Sequence, residues 1–143
     1  MNHEFKRMLE LAGLTEIKIN RPLNFYFAVI EDGLEYREIG DNNTYLASFE
    51  LDDLDAEENP WITFNISIDA SYDDVDFLED DVEEFILNAS DIDPNFNIKF
   101  FKSFINNLNK VKIPFDFYFE KDGGYVYPSV EFQYNDIKKY IKR

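Results

Sequence analysis

Cysteine is absent from this 143-residue chain, which excludes a disulfide framework, thiol catalysis and cysteine-ligated zinc. Histidine occurs once, as His3 beside the chain start, so a serine–histidine couple has no well-placed base. The five glycines, Gly13, Gly33, Gly40, Gly123 and Gly124, match neither a phosphate-cradling loop nor the dinucleotide fingerprint; each fits a turn or a helix cap. No apolar run approaches the roughly 18 residues of a membrane span, and the opening MNHEFKRMLELAGL has no apolar signal core. The expectation is a cytoplasmic protein with no membrane association. The most informative gap concerns one sign of charge: neither Lys nor Arg occurs between Arg37 and Lys99.

What is present argues for folding. The chain is 45% hydrophobic and 17% aromatic, with 15 Phe, whereas disorder requires low hydrophobicity as well as high charge. A chain of this length buries roughly 68 to 70% of its unfolded surface, so no staple is needed. Charge is distributed unevenly. Residues 38–98 hold 19 of the 30 acids and no Lys or Arg, while the remaining 82 residues hold 11 acids and all 14 cations. The ends are therefore slightly basic, and the formal charge of −16 comes from the middle. Such a surface repels phosphate backbones and anionic lipid, which excludes direct nucleic-acid binding and points to a basic partner.

Periodicity supplies the elements. Phe5, Met8, Leu9 and Ala12 predict a helix over 3–12. NFYFAVI and LEYREI read as strands around an Asp-Gly turn, followed by the strand TYLASFEL. In WITFNISID the even positions Ile62, Phe64, Ile66 and Ile68 are apolar and the intervening Thr63, Asn65, Ser67 and Asp69 are polar, which predicts a half-buried antiparallel strand. Leu78, Val82, Phe85, Ile86 and Ala89 predict a helix over 77–88, with Asp76 as its cap and Glu79 closing a capping box. A third helix is expected over 94–110, starting at Asp93-Pro94. FDFYFE, the KDGG turn and YVYPSVEF predict a hairpin, with Pro128 favouring an edge position. Tyr134, Ile137, Lys138 and Ile141 predict a short basic helix at the end. Together these define a single α+β domain, a mostly antiparallel sheet with three to four helices packed on one side.

Catalytic and metal chemistry find little support. An EF-hand loop starting at Asp91 satisfies positions 1, 3 and 5 but has Phe96 where glycine is required and Lys102 where glutamate is required. One starting at Asp69 has Asp74 at the glycine position. An irregular divalent-cation site remains an alternative reading, because carboxylates are abundant. Carboxylate pairs for acid–base work arise by chance among 30 acids, and none is marked out, so no catalytic residue and no cofactor are expected. Trp61 is expected in the core, and Tyr118, Tyr125 and Tyr127 on the exposed side of the last hairpin.

The run Ser71–Phe85 holds eight carboxylates, Asp73, Asp74, Asp76, Glu79, Asp80, Asp81, Glu83 and Glu84, and no cation. A second acidic segment holds Asp52, Asp53, Asp55, Glu57 and Glu58. These are the candidate partner-binding residues. Helix capping explains some of them, since acids near a helix start gain ~0.3–1 kcal/mol each. It does not explain the missing cations, because like charges at i,i+4 lose roughly 0.2–0.5 kcal/mol per pair. Carboxylates on one helix face lie ~5–6 Å apart, close enough to mimic phosphates in a basic groove. The expected function is that of a small non-enzymatic inhibitor engaging a basic nucleic-acid-binding protein, such as a nuclease, by DNA-like electrostatics. In charge pattern and size alone the chain is comparable to phage anti-restriction and anti-CRISPR proteins. The alternatives are an immunity protein that covers a basic toxin and a Ca²⁺-binding module.

Overall fold

The computed structural model describes residues 23–31, 33–48, 59–76 and 78–142. The helix expected over 3–12, His3, and the second acidic segment with Asp52, Asp53, Asp55, Glu57 and Glu58 lie outside these residues.

Alternating apolar side chains build the first hairpin from β1 (Phe25–Ile30) and β2 (Gly33–Glu38), paired antiparallel with Ile30 opposite Gly33. The Asp-Gly spacing predicts Gly33 in the turn, but the structure places it in β2. A Cβ at Gly33 would lie 2.1 Å from the Ala47 carbonyl oxygen of the neighbouring strand β3 (Thr44–Ser48), so glycine is required there for close backbone approach. Strand β3 pairs antiparallel with β2, and a two-residue strand β7 (Ile141–Lys142) joins the other side of β1 in parallel. The first sheet thus has the order β3-β2-β1-β7.

The second sheet contains β4 (Trp61–Asn65), β5 (Asp116–Asp122) and β6 (Tyr125–Gln133) in the antiparallel order β4-β6-β5. Gly123 and Gly124 link β5 to β6 with φ of 58° and 90°, the left-handed conformation that a two-residue hairpin turn demands. Pro128, expected at an edge, sits instead in the central strand β6. Its carbonyl accepts a 2.7 Å bond from the Ile66 amide, and its nitrogen faces the same way, one position beyond the last β4 pair, Asn65 with Ser129, where the ladder ends. On the other side Pro128 lies opposite Phe119, whose amide turns outward, so no ladder bond requires the missing N–H.

Four helices complete the described chain: α1 (Tyr72–Val75), α2 (Val82–Ile92), α3 (Ile98–Lys110) and α4 (Tyr134–Ile137). Asn97 caps α3 by accepting from the Phe100 amide at 3.1 Å. At its other end, Ile113 donates to the Leu108 carbonyl at 2.9 Å and Lys112 to the Asn109 carbonyl at 3.1 Å, which closes a Schellman motif around Lys112 at φ 60°. A left-handed lysine is costly. Lys112→Gly is expected to raise stability by about 1 kcal/mol in urea unfolding.

The core is aromatic and spans both sheets. Phe27, Tyr36 and Leu34 from the first sheet, Phe64, Val126, Val130 and Phe132 from the second, and Phe85, Phe101, Phe104 and Leu108 from the helices are fully buried. Phe104 ties the two sheets together, with its ring centroid 4.5 Å from that of Tyr36, 5.1 Å from Tyr45 and 5.7 Å from Phe64. One polar pin crosses this region: Asn107, 5% exposed, donates to the Tyr36 hydroxyl at 2.8 Å, and that hydroxyl donates to Glu38.

Burial raises the phenol pKa of both Tyr36 and Tyr45 above the ordinary tyrosine value, and Glu38 adds to the rise in each. The unfolded phenols ionise near pH 10, earlier than the folded ones. The stabilisation they contribute is therefore complete below about pH 10 and is lost as pH climbs toward the folded values. Denaturant unfolding is expected to show stability falling above about pH 10, and Tyr45→Phe should make that fall shallower.

Candidate partner-binding surface

The acidic run does not form the single helix that its apolar spacing predicts. Ser71 opens the short α1, where its amide donates to the Asp74 carboxylate at 2.8 Å. Val75 and Leu78 are then buried, 3% and 8% exposed, and the Leu78 amide donates to the Val75 carbonyl at 2.9 Å. Helix α2 starts only at Val82, with Asp81 as its cap, accepting from the Glu83 amide at 2.9 Å and the Glu84 amide at 3.3 Å. Asp76 is the C-cap of α1 and not the cap of α2, and Glu79 closes no capping box.

Two physical causes set this boundary. A helix running from 77 would stack Glu79 on Glu83 and Asp80 on Glu84, two repulsive i,i+4 pairs that the later start removes. Asp80 is also captured by the edge strand, since its carboxylate lies 3.4 Å from the outward amide of Phe119 on β5. A carboxylate over an open strand edge satisfies a donor and blocks edge pairing.

The eight described candidates thus divide into two groups. Asp74, Asp80 and Asp81 each accept a backbone N–H and serve the local fold. The carboxylates of Asp73, Asp76, Glu79, Glu83 and Glu84 make no hydrogen bond or ion pair with the described residues, and only Glu84 among them is partly buried. Glu83 and Glu84 lie in the first turn of α2, where the helix dipole favours them. Among the described residues the single ion pair is Arg37 with Glu35, and the nearest use of a cation by the acidic run is Lys121 over the Tyr72 ring at 3.9 Å. Asp81→Ala is expected to cost about 0.5–2 kcal/mol in thermal or urea unfolding, against less than about 0.5 kcal/mol for Asp76→Ala.

Trp61 also departs from expectation. It is 54% exposed and shares the outer face of the second sheet with Thr63 and Asn65. The signal was available in its parity, since odd positions of that strand are the polar ones. Tyr118, Tyr125 and Tyr127 stand on the same outer face, Tyr125 exposed and the other two half-buried. With Leu46 of β3 they line an open groove of about 1060 Å³, which carries Asp69, Asp93 and Glu120 and, among the described residues, no Lys or Arg.

Local bonds fix the groove floor. Tyr118 shares hydrogen bonds with Thr63 and Glu131, and burial and Glu131 raise its phenol pKa. The Ser129 hydroxyl, fully buried, donates to the Asn65 side chain at 2.7 Å. Asp93 accepts from the Asp69 amide at 3.0 Å and from the Asn95 amide at 2.9 Å. Among the described residues no three His, Cys, Asp or Glu side chains gather for a metal ion, and no helix is long and apolar enough to cross a membrane. Comparison with protein-family models, curated proteins and solved structures finds no match.

Proposed function

We propose that this chain is a small, non-enzymatic, cytoplasmic protein that binds and blocks a basic nucleic-acid-binding protein, such as a nuclease, through its acidic run. The observation that carries this reading is that Asp73, Asp76, Glu79 and Glu83 are exposed and have no cation partner among the described residues. A solvated surface gains by interspersing signs, and this stretch forgoes that gain over many consecutive residues. The arrangement that supports mimicry is a set of carboxylates on α1, at Asp76, within 78–81 and at the start of α2, and not one straight helical face. Its irregularity suits a partner that reads charge density over a surface more than a fixed helical repeat.

The test is capture from bacterial lysate on the immobilised chain, beside a variant carrying Asp76→Lys, Glu79→Lys and Glu83→Lys. These three positions leave the structural acids Asp74, Asp80 and Asp81 in place. The reading expects nucleic-acid-binding proteins retained by wild type, lost by the variant and displaced by duplex DNA. Identical capture by both proteins overturns it.

A further inference from the structure

We infer that the groove on the outer face of β4, β6 and β5 is a docking site for an arginine- or lysine-bearing segment of the basic partner. The inference rests on the proposed function and extends it to a second surface with its own chemistry. Folding leaves Trp61 54%, Leu46 48% and Tyr125 59% exposed, all lining one concavity. Large side chains gathered in a cleft mark a contact surface more than scattered exposure does.

Three features select a cationic occupant. Asp69, Asp93 and Glu120 line the groove, and none of its described lining residues is Lys or Arg, so the charges these residues bring to it are all negative. The aromatic rings of Trp61, Tyr118 and Tyr127 line it, and a guanidinium or ammonium is attracted to the face of such a ring. The chain already makes this contact within itself: Lys121 sits 3.9 Å over Tyr72 and Lys142 4.5 Å over Tyr26. Carboxylates beside rings then add charge-assisted hydrogen bonds whose forked geometry favours arginine.

The groove is also continuous with the acidic run. Ser71, where the run begins, forms a bridge to Tyr125, and the Val126 amide donates to the Ala70 carbonyl at 3.3 Å. A basic partner approaching the carboxylates of 73–84 therefore meets the aromatic groove across β6. The carboxylates supply long-range attraction, and the groove supplies short-range selection of individual cationic side chains.

Trp61 is the single tryptophan of the chain, so it reports binding directly. The experiment titrates the full chain with an arginine–glycine decapeptide at roughly physiological salt, about 0.15 M, following Trp61 fluorescence, with calorimetry for variants lacking it. The expected result is a saturable change, with Trp61→Ala and Glu120→Gln each weakening binding about threefold to thirtyfold. Glu31→Gln removes the same charge at an exposed position outside both the groove and the acidic run, and should change affinity by less than about threefold. Equal effects of Glu120→Gln and Glu31→Gln overturn the proposal, as does a response to a neutral oligosaccharide with none to the peptide. If the lysate capture above is lost in the lysine triple variant while the groove variants behave as wild type, the groove assignment fails and the proposed function stands. If neither set changes capture, both fail.

Discussion

Phe104→Ala is expected to remove about 3–5 kcal/mol of folding stability, the largest single effect of any substitution considered. Phe104 is fully buried in α3, and its ring meets Tyr36 and Tyr45 of one sheet and Phe64 of the other. No ladder hydrogen bond joins β3 to β4 among the described residues, so the two sheets are held together by packing, across this ring and through Phe27 against Phe64 and Phe132. Deleting it opens a cavity that neighbouring rings of fixed shape fill poorly. A domain of this size commands about 5–15 kcal/mol in total, so the loss takes a large share of it. Urea unfolding should show a lower midpoint with an unchanged slope. A loss below about 1 kcal/mol would mean that the sheets are not joined through Phe104.

The second large effect is on binding. Replacing Asp76, Glu79 and Glu83 by Lys turns three exposed carboxylates into three charges of the same sign as the proposed cationic partner. Juxtaposed like charges cost several kcal/mol, so affinity for the captured protein should fall by at least about a hundredfold. The fold should survive, because none of the three carboxylates accepts a backbone hydrogen bond, and the loss of unfolding free energy is expected to stay within about 2 kcal/mol, most of it from Glu83 in the first turn of α2. Wild-type affinity should also weaken steeply between low and high salt as screening shortens to ~3 Å at 1 M. An affinity that is indifferent to both salt and charge reversal would be evidence for an apolar interface.

The strands that bury one face were legible because their parity is unbroken. Ile62, Phe64, Ile66 and Ile68 are all buried, although only Trp61–Asn65 is laddered. The body and end of helix α3 were legible for a similar reason, because Phe100, Phe101, Phe104 and Leu108 repeat at helical spacing and end where Lys110 does, but the start expected at Asp93-Pro94 is not found: Asp93 ends α2, and Asn97 caps α3. Three features were not legible. Strand β7 is two residues long and is defined by its parallel partner β1, which lies far away in sequence. The start of α2 is decided by a tertiary bond from Phe119 to Asp80 and by repulsion among carboxylates, neither of which alters the apolar period. Pro128 is tolerated in a central strand because of where β4 leaves the sheet, which depends on the paired register. At the candidate site, charge run and exposure agree for Asp73, Asp76, Glu79 and Glu83, while the aromatic groove required knowing which face of the strand Trp61 occupies.

Amide hydrogen exchange on the chain alone and in complex with its captured protein tests the account most directly. Slowed exchange is expected over 73–84 and over the groove strands β4 and β6, with the remaining described residues unchanged. Protection confined to segments outside 38–98, with the amides of 73–84 exchanging as in the unbound chain, would contradict the claim that the cation-free middle is the binding surface.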